Sequence, residues 1–161
     1  MSSCVFPGSF DPVTNGHLDL IRRASGMYDH VTVTVMINVH KTECIPAEKR
    51  IALLKKACSC FPNVTVDRWK GLLSDYMKSR HETIVIRGIR NAQEYEQESI
   101  SATANRMLNK NMETVFIPSS PELIGISSSA VREIAVFGGD IRAFVPEDLT
   151  EEIRDLLSKK I

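Results

Sequence analysis

The chain has 161 residues, a length that predicts a single domain over residues 1–161 with a self-sufficient hydrophobic core. Its hydrophobic fraction of 43% and its charged fraction of 25% are those of an ordinary globular protein. The formal net charge of zero argues against a nucleic-acid-binding protein that neutralises many phosphates, although it leaves room for a local basic pocket.

Strand and helix patterns alternate along the chain. Runs of β-branched and apolar residues predict strands, and apolar residues at helical spacing predict helices. In chain order the predicted elements are a strand at 4–6, a helix at 17–27, a strand at 31–37, a helix at 47–58, a strand at 63–66, a short helix at 72–79, a strand at 83–86, a helix at 92–108, a strand at 114–117, a helix from Ser127 to the glycines at 138–139, and a last helix after Pro146. This order predicts an α/β protein with a Rossmann-like doubly wound sheet of about five parallel strands and helices on both faces.

The cysteines and the apolar runs indicate the cellular compartment. Cys4, Cys44, Cys58 and Cys60 form no Cys-x-x-Cys pair and match no zinc-binding spacing, so we expect free thiols in a reducing cytosol. No stretch approaches the roughly 18 apolar residues of a membrane helix. The N-terminus also lacks the pattern of a signal peptide. We therefore predict a cytoplasmic protein without a membrane partner.

The unusual residues of the chain lie where predicted strands end, in the segments 7–17, 38–41, 87–90 and 118–129. In a doubly wound sheet, ligands bind beyond the carboxyl ends of the strands, at the point where the strand order reverses. Because these segments meet at one edge of the predicted sheet, we expect one ligand-binding crevice there.

His17 stands at the end of the first of these segments, in the first turn of a helix. Backbone N–H groups and the positive end of the helix favour an anion at this position, and the imidazole can donate a hydrogen bond to phosphate. Thr14 can cap the helix, and Gly8 and Gly16 leave space for a ligand. The alternative is a histidine that only caps the helix or borders the core.

Three cations lie at the other strand ends. Arg87 and Arg90 flank Gly88 just past the fourth predicted strand, and guanidinium groups match phosphate oxygens in two-point contacts. Lys41 is of interest only because of its position at a strand end. The alternative is that all three are solvated surface charges.

The serines at 127–129 begin a helix and offer more hydroxyls than one cap requires, so they predict a second anion site with the free N–H groups of the first turn. Simple capping is the alternative. Glu98 is either an exposed helix carboxylate or a site residue. The same two interpretations apply to its neighbours on that helix, Tyr95, Glu96 and Asn105.

The absence of three motifs limits the classes of reaction that this sequence could catalyse. The sequence has no Walker phosphate loop, no Gly-x-Gly-x-x-Gly after a strand and no Gly-x-Ser-x-Gly elbow. Cations, a histidine and two helix N-termini around one crevice are suited to positioning and to charge stabilisation. They favour phosphoryl or nucleotidyl transfer, where these effects supply most of the catalysis.

Two segments resemble the nucleotidylyltransferase superfamily. Thr14-Asn15-Gly16-His17 is similar to its Thr/His-x-Gly-His signature, and 126–129, followed by Arg132, is similar to its Ile-Ser-Ser-Ser signature. The closer resemblance is to the bacterial phosphopantetheine adenylyltransferases. It covers nearly the whole chain and rests also on 7–17, on 86–90, and on Tyr95, Glu96, Asn105 and Arg106.

This resemblance implies that ATP donates its adenylyl group to 4′-phosphopantetheine, which gives dephospho-coenzyme A and pyrophosphate by direct in-line displacement. It implies Mg²⁺ as the cofactor, and we expect the ion to be held mainly through the ATP phosphates without a protein ligand. It also implies a homo-oligomer, as a hexamer, and no nucleic-acid partner.

The resemblance assigns roles to residues. His17 would stabilise the charge on the α-phosphate, and Ser9 would contact both substrates. Lys41 and Arg87 would hold the acceptor phosphate as further catalytic residues. The other acceptor contacts expected are Leu73 and Asn105. The other ATP contacts expected are Phe10, Gly88, Ile89, Arg90, Glu98, Leu123, Ile124, Gly125, Ile126, Ser127, Ser128 and Ser129.

Two positions depart from the family pattern. Serine stands at position 9, where the family usually has threonine, so the hydroxyl is kept and the methyl that restricts its rotamer is lost. Residues 122–125 lack the aromatic residue that is often found before Ile-Ser-Ser. Both changes affect positioning and not the chemistry.

Two other functions are compatible with these motifs. A sister nucleotidylyltransferase could act on nicotinamide mononucleotide or glycerol phosphate, since the signature loop is shared. Lys41, Arg87 and the segment 72–73 favour phosphopantetheine over these acceptors. A nucleotide sensor without catalysis would bind ATP and not turn it over, because residues of the site and not the fold decide function.

Overall fold

The computed structural model describes residues 1–158. Its strands are β1 (Ser3–Gly8), β2 (His30–Ile37), β3 (Val64–Lys70), β4 (Ile84–Ile89) and β5 (Glu113–Pro118). Its α-helices are α1 (Asn15–Met27), α2 (Ala47–Ala57), α3 (Leu73–Arg80), α4 (Ala92–Leu108), α5 (Ser128–Val136) and α6 (Thr150–Ser158). Short 3₁₀ turns lie at Pro121–Leu123 and Glu147–Leu149.

The five strands form one parallel sheet in the order β3-β2-β1-β4-β5. Side chains alternate across it, so Phe6 faces a large core closed by α1, α2, α5 and α6, whereas Val5 faces a smaller one. Tyr76 and Met77 of α3 cover the smaller core. The predicted α/β class, with a Rossmann-like sheet and helices on both faces, is confirmed.

Three strands continue clearly beyond the carboxyl ends that the sequence pattern predicts. β1 continues through Pro7 to Gly8, which pairs with Val35 of β2. β3 continues to Lys70 because its ladder with β2 continues to Ile37. β4 continues to Ile89, which pairs with Pro118 of β5. The prediction that Arg87 follows the strand was therefore wrong, because tertiary pairing lengthens β4 past the apolar run.

The strand order reverses between β1 and β4, and these two strands separate at their carboxyl ends. β1 pairs with β2 over its whole length, whereas its register with β4 is a single pair, Val5 with Val85. A crevice at this reversal is expected for the fold. Within residues 1–158, no helix is long and apolar enough to cross a membrane.

Candidate active site

A cleft of about 420 Å³ opens beyond the carboxyl ends of β1 and β4. It lies where the first turns of α1 and α5 approach each other. Most of the residues predicted for the site line it, and these are Ser9, Phe10, His17, Lys41, Arg87, Gly88, Arg90, Glu98, Leu123, Ile126, Ser127, Ser128 and Ser129. The cleft therefore brings together residues from all four of the strand-end segments.

A second cavity of about 300 Å³ adjoins this cleft, and we call it the acceptor cavity. Leu73 and Asn105, both predicted to contact the acceptor, line it. It shares Ser9, Arg87 and Glu98 with the main cleft. These three residues therefore stand at the junction of two spaces that together have room for two substrates.

Three residues predicted to contact ATP do not line either space. Ile89 is the last residue of β4 and pairs with Pro118 at the sheet edge. Ile124 and Gly125 are exposed after the 3₁₀ turn, and the side chain of Ile124 is 45% accessible. Contact of these residues with ATP stays a prediction.

His17 is held by the residue that caps its own helix. The backbone N–H of Thr14 donates to Nδ1 of His17 over 3.1 Å, and the N–H of His17 donates to the Thr14 hydroxyl oxygen over 3.3 Å. Because Nδ1 accepts from a backbone N–H, the neutral imidazole carries its proton on Nε2. The ring of Phe10 packs edge-on against the imidazole, with a centroid separation of 4.9 Å.

The surroundings of His17 keep the imidazole neutral. Burial lowers its pKa to about 4, and the positive charges of Arg87 and Arg90 act in the same direction. At neutral pH the side chain is therefore a hydrogen-bond donor through Nε2 without a positive charge. Such a donor can bind a phosphate oxygen without taking up or releasing a proton.

Arg87 points its guanidinium toward the junction of the two cavities. Its Nε and Nη2 donate to the two carboxylate oxygens of Glu98 over 2.8 and 2.7 Å, and its Nη1 donates to the Pro7 carbonyl oxygen over 2.9 Å. The two-point contact with Glu98 has the geometry that a guanidinium uses for phosphate. Glu98 therefore orients the guanidinium of Arg87.

Arg90, which directly follows β4, is likewise held by a carboxylate and a backbone carbonyl. Its backbone N–H and its Nε donate to the carboxylate of Glu94 over 2.9 and 2.8 Å. Its Nη1 donates to the Ile126 carbonyl oxygen over 3.1 Å. This last bond attaches the end of β4 to the serine segment, so Arg90 lies beside the start of α5.

Each of the three serines has a different partner. The Ser127 hydroxyl accepts the N–H of Ala130 over 3.1 Å and caps α5, as the capping alternative predicts. Ser128 donates to the Pro12 carbonyl oxygen over 2.8 Å, and Ser129 accepts from Arg132 over 3.2 Å. The N–H groups of Ser128 and Ser129, which precede the capped N–H of Ala130, can bind an anion at the cleft.

Gly88 has a packing role that the sequence does not indicate. A Cβ atom at this position would lie 2.3 Å from Cδ1 of Leu20, which is far inside van der Waals contact. The glycine therefore allows α1 to pack tightly on β4. This close approach brings His17 and Arg87 to the same cleft.

Sequence analysis assigned no role in the site to several residues that line the cleft, among them Asp11, Arg50, Glu94 and Arg132. Arg50 is 2% exposed and occupies the apolar face of α2, together with Leu54 and Ala57. A charged residue on an apolar helix face is the signal that could have identified it, since such a residue needs a buried partner.

The carboxylates of the cleft are all engaged by protein donors. Asp11 accepts backbone N–H groups, Glu43 pairs with Arg50, Glu94 pairs with Arg90, and Glu98 pairs with Arg87. Among residues 1–158, no group of three or more His, Cys, Asp or Glu side chains is placed to hold a metal ion. The arginines and the helix starts that line the cleft offer N–H donors, which suit phosphate oxygens.

Comparison with known proteins supports the chemistry suggested by the site. Residues 5–134 match the cytidylyltransferase-like family. The chain is 43% identical to the phosphopantetheine adenylyltransferase of Rubrobacter xylanophilus over 159 residues, which cover 99% of this chain and 97% of that protein. The corresponding protein of Dictyoglomus turgidum is 42% identical, with 99% and 100% covered. The one from Levilactobacillus brevis is 44% identical, with 91% of each covered.

A solved structure from Vibrio parahaemolyticus, assigned as a nicotinate-nucleotide adenylyltransferase, superposes with a TM-score of 0.66. The match covers 99% of this chain and 93% of that one, at 15% sequence identity. At this identity the similarity establishes the shared fold and says nothing about the acceptor.

Proposed function

The chain belongs to the cytidylyltransferase-like family and, within it, to the phosphopantetheine adenylyltransferases, and we propose that it transfers the adenylyl group of ATP to 4′-phosphopantetheine in coenzyme A biosynthesis. The products are dephospho-coenzyme A and pyrophosphate. One observation carries the proposal at the level of the site. A neutral histidine, two arginines and two helix N-termini line one cleft that adjoins a second cavity.

The reaction is an in-line displacement at phosphorus. An oxygen of the acceptor phosphate forms a bond to the α-phosphorus of ATP. The bond from that phosphorus to the bridging oxygen breaks, and its electron pair leaves with pyrophosphate. No side-chain nucleophile and no covalent enzyme intermediate are required. The protein contributes by aligning two phosphates and by stabilising the charge that develops between them.

His17 stabilises the transition state in this proposal. Its Nε2–H donates to an oxygen of the α-phosphate while negative charge grows there. Because the pKa of His17 is lowered to about 4, its donor state does not change across the neutral range. The Ser9 hydroxyl, at the junction of the cavities, contacts both ATP and the acceptor phosphate, and the backbone of Phe10 contacts ATP.

Lys41 and Arg87 hold the acceptor phosphate, and the pantetheine arm extends into the acceptor cavity past Leu73 and Asn105. Apolar side chains such as Met36 and Leu73 line this cavity together with the amides of Asn38 and Asn105, which suits a chain of methylene and amide groups. Two cations on one phosphate also reduce the repulsion between the nucleophile and the triphosphate of ATP.

The triphosphate binds between Arg90 and the start of α5. This placement is supported by the hydrogen bond from Arg90 to the Ile126 carbonyl oxygen and by the serines at the start of α5, which line the same cleft as Arg90. Ser128 and Ser129 supply hydroxyls at the helix start. Gly88 and residues 123–127 complete the predicted nucleotide contacts, and Glu98 contacts the nucleotide while it orients Arg87.

Mg²⁺ would be held at this site mainly by the ATP phosphates. The carboxylates that line the cleft pair with arginines and backbone N–H groups, which supports coordination of the ion by the nucleotide and not by the protein. The ion neutralises phosphate charge when it is bound. Residues of the protein orient both substrates.

The direct test is pyrophosphate release from ATP and Mg²⁺ with a panel of acceptors. We expect strong preference for 4′-phosphopantetheine over nicotinamide mononucleotide and glycerol phosphate. Pantetheine without its phosphate is the matched control and gives no turnover, because it lacks the attacking oxygen. Preference for another phosphorylated acceptor would identify a sister enzyme, and ATP binding without turnover on any acceptor would identify a sensor.

We also infer a homo-oligomer, a hexamer by family resemblance, that acts in the cytoplasm. Helix α4 has no buried residue, and large apolar side chains on it are exposed, namely Tyr95, Ile100, Met107 and Leu108. Such a helix needs a partner to remove its apolar surface from water. Sedimentation equilibrium measures the assembly directly, and a stable monomer at micromolar concentration would contradict the inference.

A further inference from the structure

Two buried ionic side chains join the loop after β1 to the segment that follows Lys41. The carboxylate of Asp11 accepts the backbone N–H of Cys44 and that of Ile45, each over 2.8 Å. Asp11 is 8% exposed. Its two oxygens are therefore devoted to the backbone of a segment more than thirty residues away in the chain.

Arg50 completes the connection from the other side. Its Nη1 donates to the Ser9 carbonyl oxygen over 2.7 Å, and its Nε donates to the Ile45 carbonyl oxygen over 2.9 Å. Its remaining nitrogen, Nη2, forms an ion pair with Glu43. One guanidinium thus holds the loop of Ser9 and the segment 43–45 together, and we call Asp11 and Arg50 the loop brace.

Stability alone is a weak explanation for the loop brace. Burying a guanidinium costs solvation, and apolar residues of similar volume often stabilise a fold equally well or better. Apolar residues cannot hold a backbone carbonyl oxygen at a defined position, because they have no hydrogen-bond donor. The side chains of the loop brace act on backbone groups of both segments, so their effect is geometric.

The loop held by the brace is strained at its centre. Phe10 has a φ angle of 48°, in the left-handed region that residues with a side chain rarely occupy. Arg50 holds the carbonyl of Ser9 on one side of it, and Arg132 donates to the carbonyl of Asp11 over 2.8 Å on the other. The conformation of the loop therefore depends on side chains from two helices.

We propose that Asp11 and Arg50 are positioning residues for the adenylyl transfer, which set the distance between Ser9 and Lys41. The inference rests on the proposed function, in which Ser9 contacts both substrates and Lys41 holds the acceptor phosphate. Neither member of the loop brace needs to touch a reacting atom. In-line attack is sensitive to small misalignments of the two phosphates, so a change in the brace reduces turnover more than it weakens binding.

The test uses the full-length chain with Arg50→Lys and Asp11→Asn. Turnover is measured as pyrophosphate release per ATP-binding site, where sites are counted by titration calorimetry with a non-reacting ATP analogue. We expect kcat to fall about 100-fold, as for a misplacement of about 1 Å. We expect the analogue to bind with a dissociation constant within about threefold of the parent.

Two further measurements distinguish a positioning role of the loop brace from a merely structural one. Millimolar guanidinium restores part of the turnover of Arg50→Ala if the missing group acts by position, and it does nothing for a generally destabilised fold. We expect the double variant of Arg50→Lys and Asp11→Asn to lose little more turnover than either single variant, because both side chains hold the same two segments. Arg68→Lys is the matched control, because Arg68 pairs with Glu48 of the same helix α2 at the surface.

The outcomes separate the two proposals. A parent chain that fails to adenylate phosphopantetheine refutes the proposed function, and the variants are then compared on the acceptor that the panel identifies. With an active acceptor, turnover per site within about threefold of the parent in both Arg50→Lys and Asp11→Asn overturns the positioning role. A loss that appears only as fewer ATP-binding sites overturns it as well.

Discussion

Thr14 and His17 cap each other across the first turn of α1. The Thr14 backbone N–H donates to Nδ1 of His17 over 3.1 Å, and the His17 N–H donates to the Thr14 hydroxyl oxygen over 3.3 Å. This is the reciprocal arrangement of a capping box, with histidine in the place usually taken by glutamate or glutamine. The same two hydrogen bonds therefore stabilise the first turn of the helix and fix the tautomer of His17 in which Nε2 carries the proton.

His17→Ala removes the donor proposed to stabilise the transition state. We expect kcat to fall on the order of 10²–10³-fold, as for the loss of one preorganised donor. Binding of an ATP analogue should change much less. Steady-state pyrophosphate release measures the effect. His30→Ala is the control, because His30 contacts Thr65 on the surface of the sheet edge and should leave turnover at the parent value. Undiminished turnover of the His17 variant would refute the role.

The lowered pKa of His17 predicts how stability depends on pH. The unfolded chain binds a proton near the ordinary pKa of 6.5, whereas the folded chain does so only near pH 4. Between these values the unfolded state holds more protons. The free energy of unfolding contributed by this group therefore falls as pH decreases, by up to about 1.4 kcal/mol per pH unit, and is constant above about pH 7.5.

His17→Gln isolates this contribution, because glutamine keeps the capping box and does not titrate. We expect urea denaturation to show a smaller loss of stability between pH 7.5 and pH 5 in this variant than in the parent chain. Equal losses in the two proteins would show that the imidazole of His17 has an ordinary pKa in the folded state.

Arg87→Lys replaces a planar fork with a point charge. The two-point contact with Glu98 is lost, and so is the matching two-point contact that we propose with the acceptor phosphate. We expect the KM for phosphopantetheine to rise about tenfold, which corresponds to about 1.4 kcal/mol. The KM for ATP should change less. Arg80→Lys, which alters a surface pair with Asp67, serves as the control in the same kinetic assay.

Gly88→Ala tests the close approach of α1 to β4. The new methyl group would meet Leu20 at 2.3 Å, so we expect overpacking to lower the free energy of unfolding by about 1–3 kcal/mol. Combining it with Leu20→Ala should cost less than the sum of the two single changes, because the shorter side chain makes room. Additive losses in denaturant titrations would exclude this contact as the cause.

Gly26→Ala is the matched control for Gly88→Ala. Gly26 lies in α1, and a Cβ atom there would have no neighbour within 4 Å. We expect this change to stabilise the protein by up to about 1 kcal/mol, since alanine has the higher helix propensity. A loss of stability at Gly26 would mean that α1 tolerates no added methyl group, whatever the contact with Leu20.

The sequence by itself determines the order of the elements and the places where helices begin. The predicted bounds of α4, 92–108, agree with the structure, and Thr14 and Ser127 cap α1 and α5 as their residue types suggest. These features depend on residues within one turn of each other, so periodicity and side-chain chemistry are enough to reveal them. For the same reason, His17 can be selected from the sequence alone.

Only the tertiary structure decided which groups meet. The extension of β4 through Arg87 depends on pairing with β5, and the close packing at Gly88 depends on Leu20. The contact of Arg50 with Ser9 joins residues 41 positions apart. Distances of this kind follow from how the sheet orders its strands and from how the helices pack on it. No local pattern of residues carries that information, because each contact is set by the whole packed arrangement and not by its own neighbours in the chain.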